Sequence, residues 1–132
     1  MEKRELVKVT RMFDAIPELL KKEIVADAFA AKENGSWVKY STQDFANYVN
    51  NLSNGLLNLG VVAQDKIAII SNNRPEWNFT DFGVQQTGAV TVPIYPTISE
   101  TDLEFILNDA QVKYIFVSSQ ELYNKVKSVA AK

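Results

Sequence analysis

Residues 66–70 read KIAII, a lysine followed by four apolar side chains in succession. A strand with one wet face alternates apolar and polar residues, so this unbroken run demands a strand covered on both faces, as in a parallel sheet. Parallel neighbours need crossover connections, and the sequence that follows supplies them. Behind a strand over 66–71, the pattern predicts a helix over 75–87, a strand over 89–94, a helix over 99–109, a strand over 112–117 and a helix over 119–131. Alternation of this kind, with right-handed crossovers, predicts an α/β fold: a three-layer, mostly parallel sheet with flanking helices.

Start and stop signals support these elements. Ser99 stands where an N-cap belongs, ahead of Leu103, Ile106, Leu107 and Ala110, and Ser118 with Glu121 has capping-box spacing ahead of Leu122, Val126 and Val129. The run GAVTVPIYPT, residues 88–97, reads as a connector in which Gly88 ends one helix and Val90–Ile94 cross the sheet. Pro93 predicts that this strand lies at an edge or ends early, because proline cannot donate to the ladder. Gly55 and Gly83 fall inside helices, each at a cost of about 1 kcal/mol relative to alanine, which predicts a close approach to a neighbour at both.

Upstream the pattern changes. Asn34-Gly35, the dipeptide suited to the two positive-φ positions of a tight turn, predicts a β-hairpin over 27–40, with strands 27–33 and 36–40. Ser41 and Asp44 then open a helix to about Leu59, with Phe45, Val49, Leu52, Leu56 and Leu59 on one face and Gly60 as its stop. Before the hairpin lies a charged arm with a short helix around 16–24, Pro17 in its first turn. The expected division is therefore residues 1–26 as arm and short helix, and 27–132 as one α/β subdomain.

Composition removes whole classes of chemistry. The 132 residues contain no cysteine and no histidine, which excludes disulfides, thiolate nucleophiles, Cys/His metal sites and histidine triads. A net charge of -2 with scattered Lys and Arg gives no basic stripe for nucleic acid. No apolar run approaches the roughly 20 residues of a membrane span, and the start MEKRELVK lacks the apolar stretch of a signal peptide, so the expected location is cytoplasmic. Neither GxxxxGK nor GxGxxG occurs, and acidic neighbours such as Glu100 and Asp102 read as complements to a helix N-terminus. Catalytic, cofactor-binding and metal residues are therefore expected to be none.

In open α/β sheets ligands bind outside the carboxyl ends of the strands. Those ends here are Ser71–Arg74, Tyr95–Ile98 and Ser118-Ser119, so Asn73, Arg74, Tyr95 and Thr97 are the candidate pocket-lining residues. Arg74 precedes Pro75 at a helix N-terminus, where it is placed either for a phosphate or carboxylate, or for a pair with Glu76 or another part of the protein. Trp77, Phe79 and Phe82 read as packing residues, since a stacking platform would come with a basic groove.

Four stretches carry a resemblance to a known family: AFAAKENGSWVKYS, WVKYSTQDFANYVNNLSNGLLNLGV, DKIAIISNNRPEW and QQTGAVTVPIYPTISETDLEFILNDAQVKYIFV. In this order, covering about residues 13–118, they resemble the N-terminal part of the AMP-forming acyl-CoA synthetases of the adenylate-forming superfamily. SNNRPEW and GAVTVPIYPT look most like the long-chain fatty acid–CoA ligases. The resemblance implies an enzyme that uses ATP and Mg to convert a fatty acid to an acyl-adenylate and pyrophosphate, then passes the acyl group to CoA with release of AMP. The family's phosphate loop, nucleotide contacts and catalytic lysine match nothing in this sequence. ELYNKVKSVAAK ends inside a helical pattern, so the expectation is an inactive N-terminal fragment, with no cofactor bound, whose partners are the remainder of its own polypeptide and, for the parent, a fatty acid. The parent is expected to be cytoplasmic, with peripheral membrane contact left open. The alternatives are another adenylate-forming ligase, or a stand-alone α/β module that binds a protein or metabolite at the strand ends.

Overall fold

The structure, a computed structural model, describes residues 9–130; positions 1–8 of the expected arm and 131 at the end of the last expected helix lie outside the described residues. A parallel three-stranded sheet is the middle layer. β3 (Lys66–Ile70) runs between β4 (Val90–Ile94) and β5 (Val112–Val117), parallel to both. Ile67, Ala68, Ile69 and Ile70 are each at most 2% exposed, the two-faced burial that KIAII requires. Alternate residues serve opposite cores. Ala68 and Ile70 pack with Leu103, Leu122 and Val129 from α4 (Glu100–Asp109) and α5 (Gln120–Ala130). Ile67 packs with Leu56 and Val84 from α2 (Thr42–Asn58) and α3 (Pro75–Gln86).

The chain passes from β3 outward to β4 with α3 on one face, then back across β3 to β5 with α4 on the other. Reversing direction while keeping one hand of crossover requires that exchange of faces. Among the described residues β4 pairs only with β3, so Pro93, opposite Ile69, stands on an edge strand where a missing N–H is tolerated.

The predicted hairpin is β1 (Phe29–Glu33) and β2 (Ser36–Tyr40), antiparallel, turning through Asn34 at φ 48° and Gly35 at φ 85°. Two consecutive positive φ angles are what a type I′ turn needs, and they match the twist of the flanking strands. Phe29 and Tyr40 dock the hairpin on a cluster of Phe45, Ala46, Val49 and Phe79. The short helix α1 (Ala15–Lys22) puts Ile16 into the same cluster, so the lead-in is packed on α2.

The caps explain the helix boundaries. Ser41 Oγ accepts from the Asp44 N–H at 3.0 Å and the Asp44 carboxylate accepts from the Ser41 N–H at 2.8 Å, a complete capping box. Ser99 Oγ accepts from the Asp102 N–H at 3.1 Å. The last helix differs from expectation by one residue: its cap is Ser119, whose Oγ accepts from the Leu122 N–H at 3.2 Å. Ser118 still belongs to the strand edge, because its N–H donates to the Ile70 carbonyl at 3.2 Å, and a residue held in the ladder cannot turn out to cap.

The two helical glycines also part ways. A Cβ at Gly83 would lie 2.7 Å from Leu52 Cδ2 and 3.0 Å from Leu52 Cβ, so α3 touches α2 there. A Cβ at Gly55 would meet nothing within 4 Å, and the expected close approach is absent. Gly55→Ala is therefore expected to stabilise the chain by about 1 kcal/mol, the helix-propensity difference. Gly83→Ala gains the same propensity but must push Leu52 aside, at about 1–3 kcal/mol. Urea titration of the two variants checks this: equal stabilisation by both would show that the α2–α3 approach is not limiting.

Candidate functional site

The helix after β3 leaves to one face of the sheet, while those after β4 and β5 leave to the other. Adjacent strands whose connections diverge open a crevice at their carboxyl ends. β3 therefore has a crevice on each side. That between β3 and β5 holds a cavity of about 270 Å³ lined by Ile69, Ser71, Arg74, Trp77, Phe116 and Ser118, among others. That between β3 and β4 holds one of about 440 Å³ whose walls include Ser71, Asn73, Trp77, Ile94, Tyr95 and Pro96. Trp77, in the first turn of α3, is a wall of both. A further groove of about 650 Å³ runs between residues 72–78 and β1.

The four candidate residues do not share one pocket. Asn73 and Tyr95 meet in the β3–β4 cavity. Arg74 lines the β3–β5 cavity and the groove beside the hairpin. Thr97 lines none of the three. It is an exposed residue in the turn that Ile98 closes by donating its N–H to the Tyr95 carbonyl at 3.1 Å.

Arg74 has extended backbone ahead of Pro75, as the steric effect of a following proline predicts. Its guanidinium donates twice to Glu76, from Nε to Oε2 at 2.9 Å and from Nη2 to Oε1 at 2.8 Å. The hydrogen bonds from Arg74 hold the Glu76 carboxyl below the usual carboxylate range, against a smaller opposing effect of burial. The same bonds raise Arg74. An anion at this helix N-terminus would thus compete with Glu76 for the guanidinium.

The pH sign follows from the lowered carboxyl. The pair's contribution is fully present above the ordinary glutamate pKa, near 4.3, and is lost as pH falls through the lower folded value. Both side chains are 40% exposed, so solvent screening keeps the contribution under about 1 kcal/mol. Glu76→Gln is expected to lower stability slightly at neutral pH and to approach the wild type at a pH well below the ordinary glutamate range, as the carboxyl takes up its proton. A stability gap in urea titrations that persists undiminished at that pH would count against the ion pair.

Trp77 and Ser118 stand outside the four candidates and yet line the strand-end cavities. Trp77 reads as a packing residue in the sequence, yet its place in the first turn of a helix that follows a central strand is a signal for the ligand edge. Ser118, directly after β5, lines the β3–β5 cavity, and its buried Oγ has no hydrogen-bond partner among the described residues. Among those residues, no group of three or more His, Cys, Asp or Glu side chains could hold a metal ion. No described helix is long and apolar enough to cross a membrane.

Comparison with known proteins gives a consistent result. A family model described as AMP-binding enzyme matches residues 21–132. The long-chain-fatty-acid–CoA ligase FadD15 of Mycobacterium bovis is 36% identical over 86 residues, which are 65% of this chain and 14% of that protein. 4-Hydroxybutyrate–CoA ligase 2 of Metallosphaera sedula is 32% identical over 84 residues, 64% of this chain and 15% of that protein. Among solved structures, the anthranilate CoA ligase AuaEII in complex with anthranoyl-AMP superposes with a TM-score of 0.74 at 22% identity, covering 90% of this chain and 22% of that one. A Mycobacterium tuberculosis fatty acyl CoA synthetase superposes with a TM-score of 0.67 at 23% identity, over 72% of this chain and 19% of its own. The aligned segments thus amount to about a seventh of the curated relatives' length, and the structural likeness carries the fold.

Proposed function

This chain belongs to the AMP-binding enzyme family, and on that premise we propose that it supplies the N-terminal α/β part of a long-chain fatty acid–CoA ligase. The observation that carries the reading is the 36% identity over 86 residues to a ligase of that name. The whole enzyme would join a fatty acid to AMP at the expense of ATP, release pyrophosphate, and pass the acyl group to CoA. In this proposal residues 1–26 are a lead-in and 27–132 one α/β subdomain, working in the cytoplasm with a peripheral approach to the membrane that holds the fatty acid.

The described residues offer no acidic cluster for Mg, and the one arginine at the strand ends is engaged by Glu76, so no chemical step is assigned to them. Their part is positional. Trp77 is a wall of the crevices on both sides of β3, and Asn73 and Tyr95 shape one of them. A scaffold of this kind acts by holding a bound substrate in one orientation while groups elsewhere in the protein react with it.

The match to a 4-hydroxybutyrate–CoA ligase favours a second reading, an adenylate-forming ligase for a short acid. Acid-dependent ATP–pyrophosphate exchange by the polypeptide that the complete source reading frame encodes separates them. Exchange with palmitate above exchange with 4-hydroxybutyrate supports the long-chain reading, and the reverse order supports the other. No exchange with either acid, or with a wider panel, would leave a stand-alone binding module. Residues 1–132 alone are expected to show no exchange.

A further inference from the structure

Lys125 belongs to α5, yet its ammonium ends on the connection between β4 and α4. Nζ donates to the Ile98 carbonyl at 2.9 Å and to the Pro96 carbonyl at 3.3 Å, from a partly buried position and across 27 and 29 residues of sequence. That connection is itself a β-turn, with Pro96 at its first central position and the Ile98 N–H closing on the Tyr95 carbonyl at 3.1 Å. It ends at Ser99, the cap of α4. A compact ammonium with three donors suits two converging carbonyls, and its charge strengthens both bonds.

The tether matters because of what the turn carries. Tyr95 is 84% exposed, so its placement comes from its backbone and not from packing around the ring. Pro93, Ile94, Tyr95 and Pro96 form one wall of the β3–β4 cavity, opposite Ser71–Asn73 and Trp77. The geometry points to Lys125 as a positioning residue that fixes this wall, and with it the direction of Tyr95, for the acyl substrate. The substrate half rests on the ligase reading above; the tether does not. Lys127, two residues on, is exposed and serves as the control.

Lys125→Met keeps most of the apolar stem and removes the donors. Amide hydrogen exchange of residues 1–132, followed by NMR, is the first readout. In Lys125→Met the Ile98 amide is expected to exchange about tenfold faster, in line with the loss of charged hydrogen bonds, while the amides of β3 change by less than about twofold. Lys125→Arg is expected to restore protection, and Lys127→Met to leave it unchanged. A fluorotyrosine at position 95 should show its ¹⁹F resonance shift in Lys125→Met and return in Lys125→Arg. Unchanged Ile98 exchange in Lys125→Met overturns the tether. So does an increase of the same size throughout β3, which would make Lys125 a general packing element. The second readout uses the polypeptide that the complete reading frame encodes: Lys125→Met is expected to raise KM for palmitate about tenfold with kcat within about twofold, as loss of a wall that contacts ground state and transition state alike requires. An unchanged KM beside faster Ile98 exchange overturns the positioning role and keeps the tether. Absence of palmitate activity in the wild type overturns the ligase reading, while the exchange data still decide the tether.

Discussion

Phe79→Ala is expected to destabilise the chain by about 3–5 kcal/mol, the usual range for deleting a buried aromatic ring. Phe79 is 4% exposed and central to the aromatic cluster. Its ring lies edge-on to Phe29 at 5.4 Å and Tyr40 at 5.3 Å between centroids, stacks on Tyr48 at 5.1 Å with planes 8° apart, and tilts against Phe45 at 5.7 Å. Phe29 and Tyr40 are the hairpin's anchors, so the loss falls on the docking of β1 and β2 as well as on the helix pair. An isolated two-stranded hairpin is marginal in water and depends on such docking. Since whole domains are stable by about 5–15 kcal/mol, the variant sits near its threshold. Urea unfolding gives the free energy, and near-ultraviolet circular dichroism reports the packing of Tyr40 and Tyr48. A loss below about 1 kcal/mol would mean that the cluster relaxes around the missing ring and that the hairpin is held by something else.

What was legible in the sequence was whatever depends on neighbours along the chain. KIAII announced two-faced burial, Asn34-Gly35 a turn, Pro93 an edge and Ser41 with Asp44 a cap, because periodicity, positive φ, a missing donor and a capping box are all local. The missed details are those decided across the fold. Ser118 and Ser119 are equally good cap residues, and pairing with Ile70 decides between them. Gly55 and Gly83 look alike in their helices, and only the latter faces Leu52. The candidate site shows the same division. The rule that ligands sit beyond the strand ends led to Asn73 and Tyr95, but it could not foresee that α3 leaves to one face and places Trp77 as a wall on both sides of β3. The bond from Lys125 to a turn almost thirty residues earlier had no signal at all in the sequence.

The second large effect lies on the opposite face of the sheet. Leu103 is fully buried at 0% exposure, in a cluster with Ala68, Ile70, Ile94, Leu122 and Val129. Leu103→Ala removes its outer carbons from a site lined by buried side chains of β3, β4 and α5, and such a site collapses poorly, so the expected cost is about 3 kcal/mol or more. Phe105, two residues away and 67% exposed, gives the contrast: Phe105→Ala is expected to change stability by less than about 0.5 kcal/mol. The comparison bears on the candidate site, because α4 follows directly on the turn that carries Tyr95. If Leu103 anchors one end of that turn and Lys125 its carbonyls, the two act on shared structure. The double variant Leu103→Ala, Lys125→Met should then be less destabilised than the single costs added together, by about 0.5 kcal/mol or more, since a turn already loosened has less to lose. Additive costs within about 0.3 kcal/mol would show instead that the core beneath α4 and the tether above it are independent.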